Sequence, residues 1–286
     1  LTINLGLRYE ANQHMKDTAN KLSAIDLSVP GGRFVIASNK KGTISPDAES
    51  LLPSMPIPYT TSSTAGWSRS LLRPSYKRFA PRLGLAWELP GNSETVFRAG
   101  FGIFLNQWAY SVQTNLARNL PFFLLKRIDT ASDDLSPSFS TETMLTKTAT
   151  GNISGNNMDH DYRTEYTQTW GSGIQHLLNS TNLLEVSYMG SRTVGADNST
   201  FRNIPTPGSG SIQSRRPVPL LSGFRSIRWD GWSTYHALTG KLERRFSDGL
   251  FFNFNYTFSK TMDDASAPGG TSFESNLPQN VLDLPS

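Results

Sequence analysis

Apolar and polar residues alternate over long stretches of this chain. In 1–10, LTINLGLRYE, residues Leu1, Ile3, Leu5, Leu7 and Tyr9 fall on one side, and Thr2, Asn4, Gly6, Arg8 and Glu10 on the other. Successive strand side chains point to opposite faces, so the pattern predicts a strand with one apolar and one polar face. The alternation recurs in 79–89 (FAPRLGLAWEL), 97–105 (FRAGFGIFL) and 250–259 (LFFNFNYTFS), with Phe104 as an exception on the polar side. Three less regular segments read the same way. They are 164–177 with Tyr166, Trp170 and Ile174, 183–190 with Leu184, Val186 and Tyr188, and 235–246 with Leu238, Leu242 and Phe246. Arg244 interrupts the apolar side of the last. Seven strands are therefore expected. Soluble strands usually run to about five or six residues. These run nearer ten, the length a tilted strand needs to cross a bilayer.

The connections extend the argument. Residues 90–94 (PGNSE), 178–182 (LNSTN) and 247–249 (SDG) are short and turn-rich, which suits hairpins. Between those hairpins lie 11–78, 106–163 and 191–234, rich in Ser, Thr, Asn, Gly and Pro and expected to lack regular structure. Compact soluble domains rarely carry unstructured connections longer than about 15 residues, far short of these three. Short and long links alternate, so a meander places every short turn at one end and every long loop at the other. Outer-membrane barrels have that asymmetry, with short periplasmic turns and long outer loops. The expected fold is all-β, an antiparallel up-and-down meander of about seven long strands forming an open part of a transmembrane β-barrel.

Composition adds exclusions. The 286 residues carry no Cys, which rules out disulfide scaffolds and thiolate metal sites. Charged residues are 17% and the net charge is +4, too little to argue for nucleic acid. The longest apolar run, LPFFLL at 120–125, is far short of the roughly 18 residues of a spanning helix. The first residues show no Met, basic region or apolar region of a signal peptide.

The segments LTINLGLRYE, FAPRLGLAWELPGNSETVFRAGFGIFLN, NLLEVSYMGSR and STYHALTGKLERRFSDGLFFNFNYTFSKTMDD resemble barrel strands of TonB-dependent outer-membrane receptors. The likeness is greatest to the Oar-like branch, which carries a carboxypeptidase-regulatory-like β domain ahead of its plug. The resemblance implies active uptake of a scarce external ligand through a plugged barrel in the cell outer membrane, energised by the inner-membrane TonB complex. Family barrels have 22 strands, and the sequence shows no plug, TonB box or terminal strand ending in an aromatic residue. The expectation is that residues 1–286 are an internal piece of a barrel domain, with the TonB complex reached only through the missing plug. A passive porin, a structural outer-membrane protein and, further off, a soluble carbohydrate-binding module are the alternatives.

Under the barrel reading, the polar-face residues Asn4, Arg8, Glu10, Arg82, Glu88, Arg98, Asn253 and Asn255 are lumen candidates. In a wet lumen, structural ion pairing explains them without a ligand. Tyr9, Phe79, Trp87, Tyr188, Phe254 and Phe258 are lipid-facing or girdle candidates, since aromatic rings suit the bilayer interface. Outer-membrane lipid is the expected partner; the external ligand is unspecified, and neither nucleic acid nor a cofactor is expected. Asp159-His160-Asp161 is a tight cluster, but adjacent residues rarely converge on one metal. Asp133-Asp134 and Asp263-Asp264 lack calcium-loop spacing. No nucleophile elbow, Walker loop or zincin motif is present, so no enzyme is expected. The sequons at Asn152, Asn179, Asn198 and Asn255 match a pattern short enough to occur by chance. Lys40-Lys41 and Arg215-Arg216 give the long loops basic spots.

Overall fold

The computed structural model of the chain describes residues 1–11, 13–76, 78–106, 113–123 and 153–264. Asp133-Asp134, the sequon at Asn152 and the end of the LPFFLL run lie outside the described residues. In chain order the elements are β1 (Thr2–Tyr9), β2 (Ser23–Asp26), β3 (Arg33–Ile36), α1 (Pro46–Leu51), β4 (Tyr59–Thr61), β5 (Phe79–Leu89), β6 (Asn92–Leu105), β7 (Asn156–Met158), β8 (Tyr166–Leu177), β9 (Asn182–Arg202), β10 (Phe224–Ser247) and β11 (Leu250–Asp263).

The seven long strands pair in the order β1-β5-β6-β8-β9-β10-β11, each antiparallel to the next. This is the expected meander, and it is open at β1 and β11 among the described residues. Short turns join β5 to β6, β8 to β9 and β10 to β11 at one end. Asp248 and Gly249 both take left-handed backbone, with φ of 54° and 76°, as a two-residue type I′ hairpin turn requires. Asn179 closes its own turn, its Oδ1 accepting from the N–H groups of Thr181 (3.0 Å) and Asn182 (2.9 Å).

Two expectations are corrected. First, β9 and β10 run to 21 and 24 residues, so the third long connection shrinks from 191–234 to 203–223. The apolar alternation ends well before the ladder does, because backbone pairing needs no apolar side chains once a strand leaves an apolar layer. The extension bends at a bulge, where the register shifts on both sides of Gly231 opposite Ala196. Gly195 beside it has φ of 77°, which suits glycine at a bulge.

Second, the long connections are not devoid of structure. Residues 13–76, 113–123 and 153–165 fold together with 203–223 into a cap at the end of the sheet opposite the short turns. Strands β2, β3 and β4 form a separate small sheet. Strand β7 pairs parallel to Arg225–Ile227 of β10, occupying the edge of β10 beyond β11. A core of Leu22, Val35, Leu71, Leu72, Leu116 and Met158 packs against Ile227 and Trp229 of β10. A second cluster joins Ile25, Phe34, Leu221 and Phe224.

Three buried amides stitch these loops. Gln113 Nε2 donates to the carbonyls of Met15 (2.9 Å) and Ser70 (2.9 Å), and its Oε1 accepts from Met15 N–H (3.1 Å). Asn119 Nδ2 donates to the carbonyls of Ser23 (2.6 Å) and Asn156 (2.7 Å), and its Oδ1 accepts from Asn156 N–H (2.8 Å). Asn203 Nδ2 reaches the carbonyls of Val218 (3.0 Å), Leu221 (2.8 Å) and Ser222 (3.1 Å). Buried loop backbone must find partners, and these side chains supply them.

Candidate functional site

The register sorts the sheet into two consistent faces. Leu5, Leu83, Phe101 and Trp170 follow one another across β1, β5, β6 and β8. Tyr188, Leu238 and Phe258 do so across β9, β10 and β11. The other face carries Gly84-Gly100-Gly171 across three strands and Gln175-Glu185-Lys241-Asn255 across four. One face is thus apolar and aromatic, the other polar with a glycine floor.

The polar-face candidates separate into three groups. Asn4 lies opposite Gly84, and Arg8 pairs with Glu10 at 2.8 Å. Arg82 and Arg98 line a groove of about 510 Å³ with Gly100, Gly102, Gly171 and Glu185. Phe104, the exception in the alternation, lies over Gly102 and against the Arg82 guanidinium, 4.7 Å from its ring centroid. Glu88 lies opposite Val96 with Arg98 on the diagonal; among the described ion pairs, none joins Glu88 to Arg98. Asn253 and Asn255 stand apart, opposite Glu243 and Lys241, and Asn255 Nδ2 donates to Asn253 Oδ1 (2.9 Å).

On the apolar face the Tyr9 and Phe79 rings meet at a tilt of 43°, with centroids 5.0 Å apart. Trp87 lies opposite Phe97, Phe254 opposite Leu242 and Phe258 opposite Leu238. Tyr188, near a strand end by its sequence pattern, is the seventh residue of β9, because β9 continues to Arg202.

The cap holds a second concavity of about 620 Å³, lined by Lys16, Lys40 and Arg69, four serines, Asn39, Gly66 and Trp67. No carboxylate lines it. Arg69 is fixed by bonds to Asn20 Oδ1 (2.6 Å) and to the carbonyls of Asp17 and Thr18 (both 2.7 Å). Trp67 is held by stacking on His160 at 4.1 Å. His160 also bonds the Leu71 carbonyl through Nδ1 (2.9 Å), and Asp161 pairs with Arg73. The Asp159-His160-Asp161 run is therefore cap architecture. Among the described residues no three His, Cys, Asp or Glu side chains gather as a metal site.

Residues 1–285 match the outer membrane beta barrel domain family. The chain belongs to that family. Its place is the outer membrane, and the two-faced meander is the family's barrel wall. Among solved structures it is similar to the outer membrane transporter YddB from Escherichia coli, at 14% identity and a TM-score of 0.41. That likeness covers 67% of this chain but 21% of the transporter, so the chain spans about a fifth of that protein's length. No curated protein matches it.

In this outer-membrane domain, sequence pattern located the groove arginines but not the cap pocket. Lys16 is far in sequence from Trp67 and Arg69, and all three sit in segments without periodicity. The buried amides likewise leave no local signal. Glu185 and Lys241 could have been found by extending the polar face across neighbouring strands.

Electrostatics in the cap is set by burial. Burial holds the His14 imidazole down at about 4; the Arg73 carbonyl bond opposes this, and the Arg78 charge adds to it. Burial alone would raise the Asp26 carboxyl, but two bonds from Ser28 and the Arg33 guanidinium outweigh it and hold the group low.

Proposed function

We propose that this chain forms part of the barrel of a TonB-dependent receptor that actively takes up a scarce ligand, with further strands closing the barrel beyond β1 and β11. The polar face lines the lumen and the apolar face meets outer-membrane lipid. The TonB complex acts through a plug belonging to the whole protein. The observation that carries this reading is the cap. Its outer connections share a hydrophobic core and frame a cationic pocket, an arrangement suited to capturing an anionic ligand before passage. A passive channel needs only a wet lumen. The domain itself carries out no chemistry on the ligand and binds no nucleic acid.

The test uses the full-length protein. In planar bilayers an energised receptor stays closed, while a porin gives steady conductance. In cells, labelled sugars, peptides and iron chelates are offered in turn. Accumulation of one of them that collapses with a protonophore supports the proposal. Steady conductance together with protonophore-insensitive entry sinks it.

A further inference from the structure

The apolar face carries three basic residues at one level. Arg192 of β9, His236 of β10 and Lys260 of β11 share that face: Gly190, His236 and Lys260 are successive partners, and Arg192 is two residues beyond Gly190. Each lies ten or eleven residues from the short-turn end of its strand, counted from Asn182, Ser247 and Leu250. At about 3.3 Å per residue and a tilt of about 45°, that is roughly 23 Å above the turns. The apolar band of an outer-membrane barrel is about 25 Å tall, so the three sit at its outer boundary.

Below that level this face of β9 to β11 is mostly aromatic and aliphatic, and its one cation there, Arg244, pairs with Asp248 at 3.4 Å. Trp170 and Tyr188 lie beside His236; a hydrogen bond of 2.7 Å joins Tyr188 Oη to His236 Nδ1, and the Trp170 ring meets His236 edge-on at 6.1 Å. Arg192 and Lys260 are exposed, and among the described residues neither has an ion-pair or hydrogen-bond partner. The nearest acid along this face is Asp264, whose carboxylate accepts from Trp232 N–H (2.6 Å). Unpaired cations on a lipid-facing surface need a reason, because ionisable groups against lipid are costly unless they find a partner.

We propose that Arg192, His236 and Lys260 form a binding site for the phosphate groups of an outer-leaflet lipid headgroup, whose acyl chains lie along Trp170, Tyr188, Leu238 and Phe258 below. Charge complementarity and height select this occupant. The inference rests on the barrel reading above.

The test is lipid retention by full-length protein purified from outer membranes. Wild type is compared with the Arg192→Gln/Lys260→Gln double variant, and with Lys41→Gln/Arg118→Gln, two exposed cap residues outside the cap pocket, as a charge-matched control. Native mass spectrometry follows titration with a bis-phosphorylated glycolipid and with its dephosphorylated form. The face variant is expected to bind the phosphorylated lipid roughly 30-fold more weakly, about 2 kcal/mol for two cations near an anionic surface. The cap variant should match wild type, and millimolar inorganic phosphate should not displace the lipid. Equal binding of both lipids, equal binding by wild type and face variant, or displacement by free phosphate would overturn the inference while leaving the barrel reading intact. A protein that stays soluble without detergent and retains neither lipid overturns the barrel reading itself.

Discussion

The indole of Trp170 fills the space that a side chain on Gly190 would need. The two residues are cross-strand partners, and a Cβ placed on Gly190 would lie 2.5 Å from Trp170 Cε2. Glycine here gives up strand propensity so that a large ring can lie flat on the neighbouring strand. Gly190→Ala should therefore force the ring away and destabilise the sheet by about 1–3 kcal/mol, as overpacking does. In a Trp170→Ala background the same substitution should cost little. Urea unfolding of the four proteins in lipid vesicles measures the coupling; an equal cost in both backgrounds would show that the ring is not what Gly190 accommodates.

Asn119 is the joint of the cap. Replacing it with Leu leaves the carbonyls of Ser23 and Asn156 and the Asn156 N–H without their present partner, at about 1–3 kcal/mol for each buried group left unpaired. The long strands do not depend on those bonds. Hydrogen exchange in Asn119→Leu should accelerate at Ser23–Asp26 and Asn156–Met158 and stay slow in β8 to β10. Uniform acceleration would mean that cap and sheet unfold as one unit.

Acid should loosen the cap through His14. Its imidazole is buried against Tyr162, with ring centroids 4.3 Å apart, and is held near 4 by that burial. An unfolded His titrates near 6.5. Between those values the opened state binds the extra proton, so cap stability falls as pH drops from about 6.5 to 4 and changes no further below. Glu165, raised by burial, acts in the opposite direction, so the comparison is with His14→Gln. Hydrogen exchange of the cap should depend on pH more steeply in the wild type over this window. Parallel profiles would remove His14 as the cause.

The seven strands were legible because period-two alternation is imposed over their length by two different environments, and the pairing keeps Leu5, Leu83, Phe101 and Trp170 on one face. The continuation of β9 through Ala196, Asp197 and Asn198 was not. There both sides of the strand contact cap or water, and the sequence loses its alternation while the backbone ladder goes on. The cap was opaque for a related reason. Its order comes from amides such as Asn119 and Gln113 bonding backbone 96 and 98 residues away in sequence, and nothing local distinguishes them from solvated loop residues. The cap pocket inherits that opacity, since Lys16 and Arg69 meet only through the folded loop.

The two sides of β11 should respond differently to charge. Phe254 is 62% exposed and lies opposite Leu242, among Phe252, Tyr256 and Leu184 on the face assigned to lipid. Asn255 points the other way, opposite Lys241, which pairs with Glu243 at 2.7 Å. Arg at a midplane lipid-facing position costs about 2–4 kcal/mol in such barrels, whereas lumen substitutions tune selectivity. Asn255→Arg adds a like charge across from Lys241, which costs at most about 1 kcal/mol for a cross-strand pair and is offset by the neighbouring Glu243 and Glu185. In the full-length protein, Phe254→Arg should deplete the heat-modifiable barrel recovered from outer membranes, while Asn255→Arg should leave most of it. Equal depletion by both, or greater loss from Asn255→Arg, would reverse the face assignment. It would also remove the lipid-facing setting that the Arg192, His236 and Lys260 site requires, because all four positions lie on the same side of one continuous ladder.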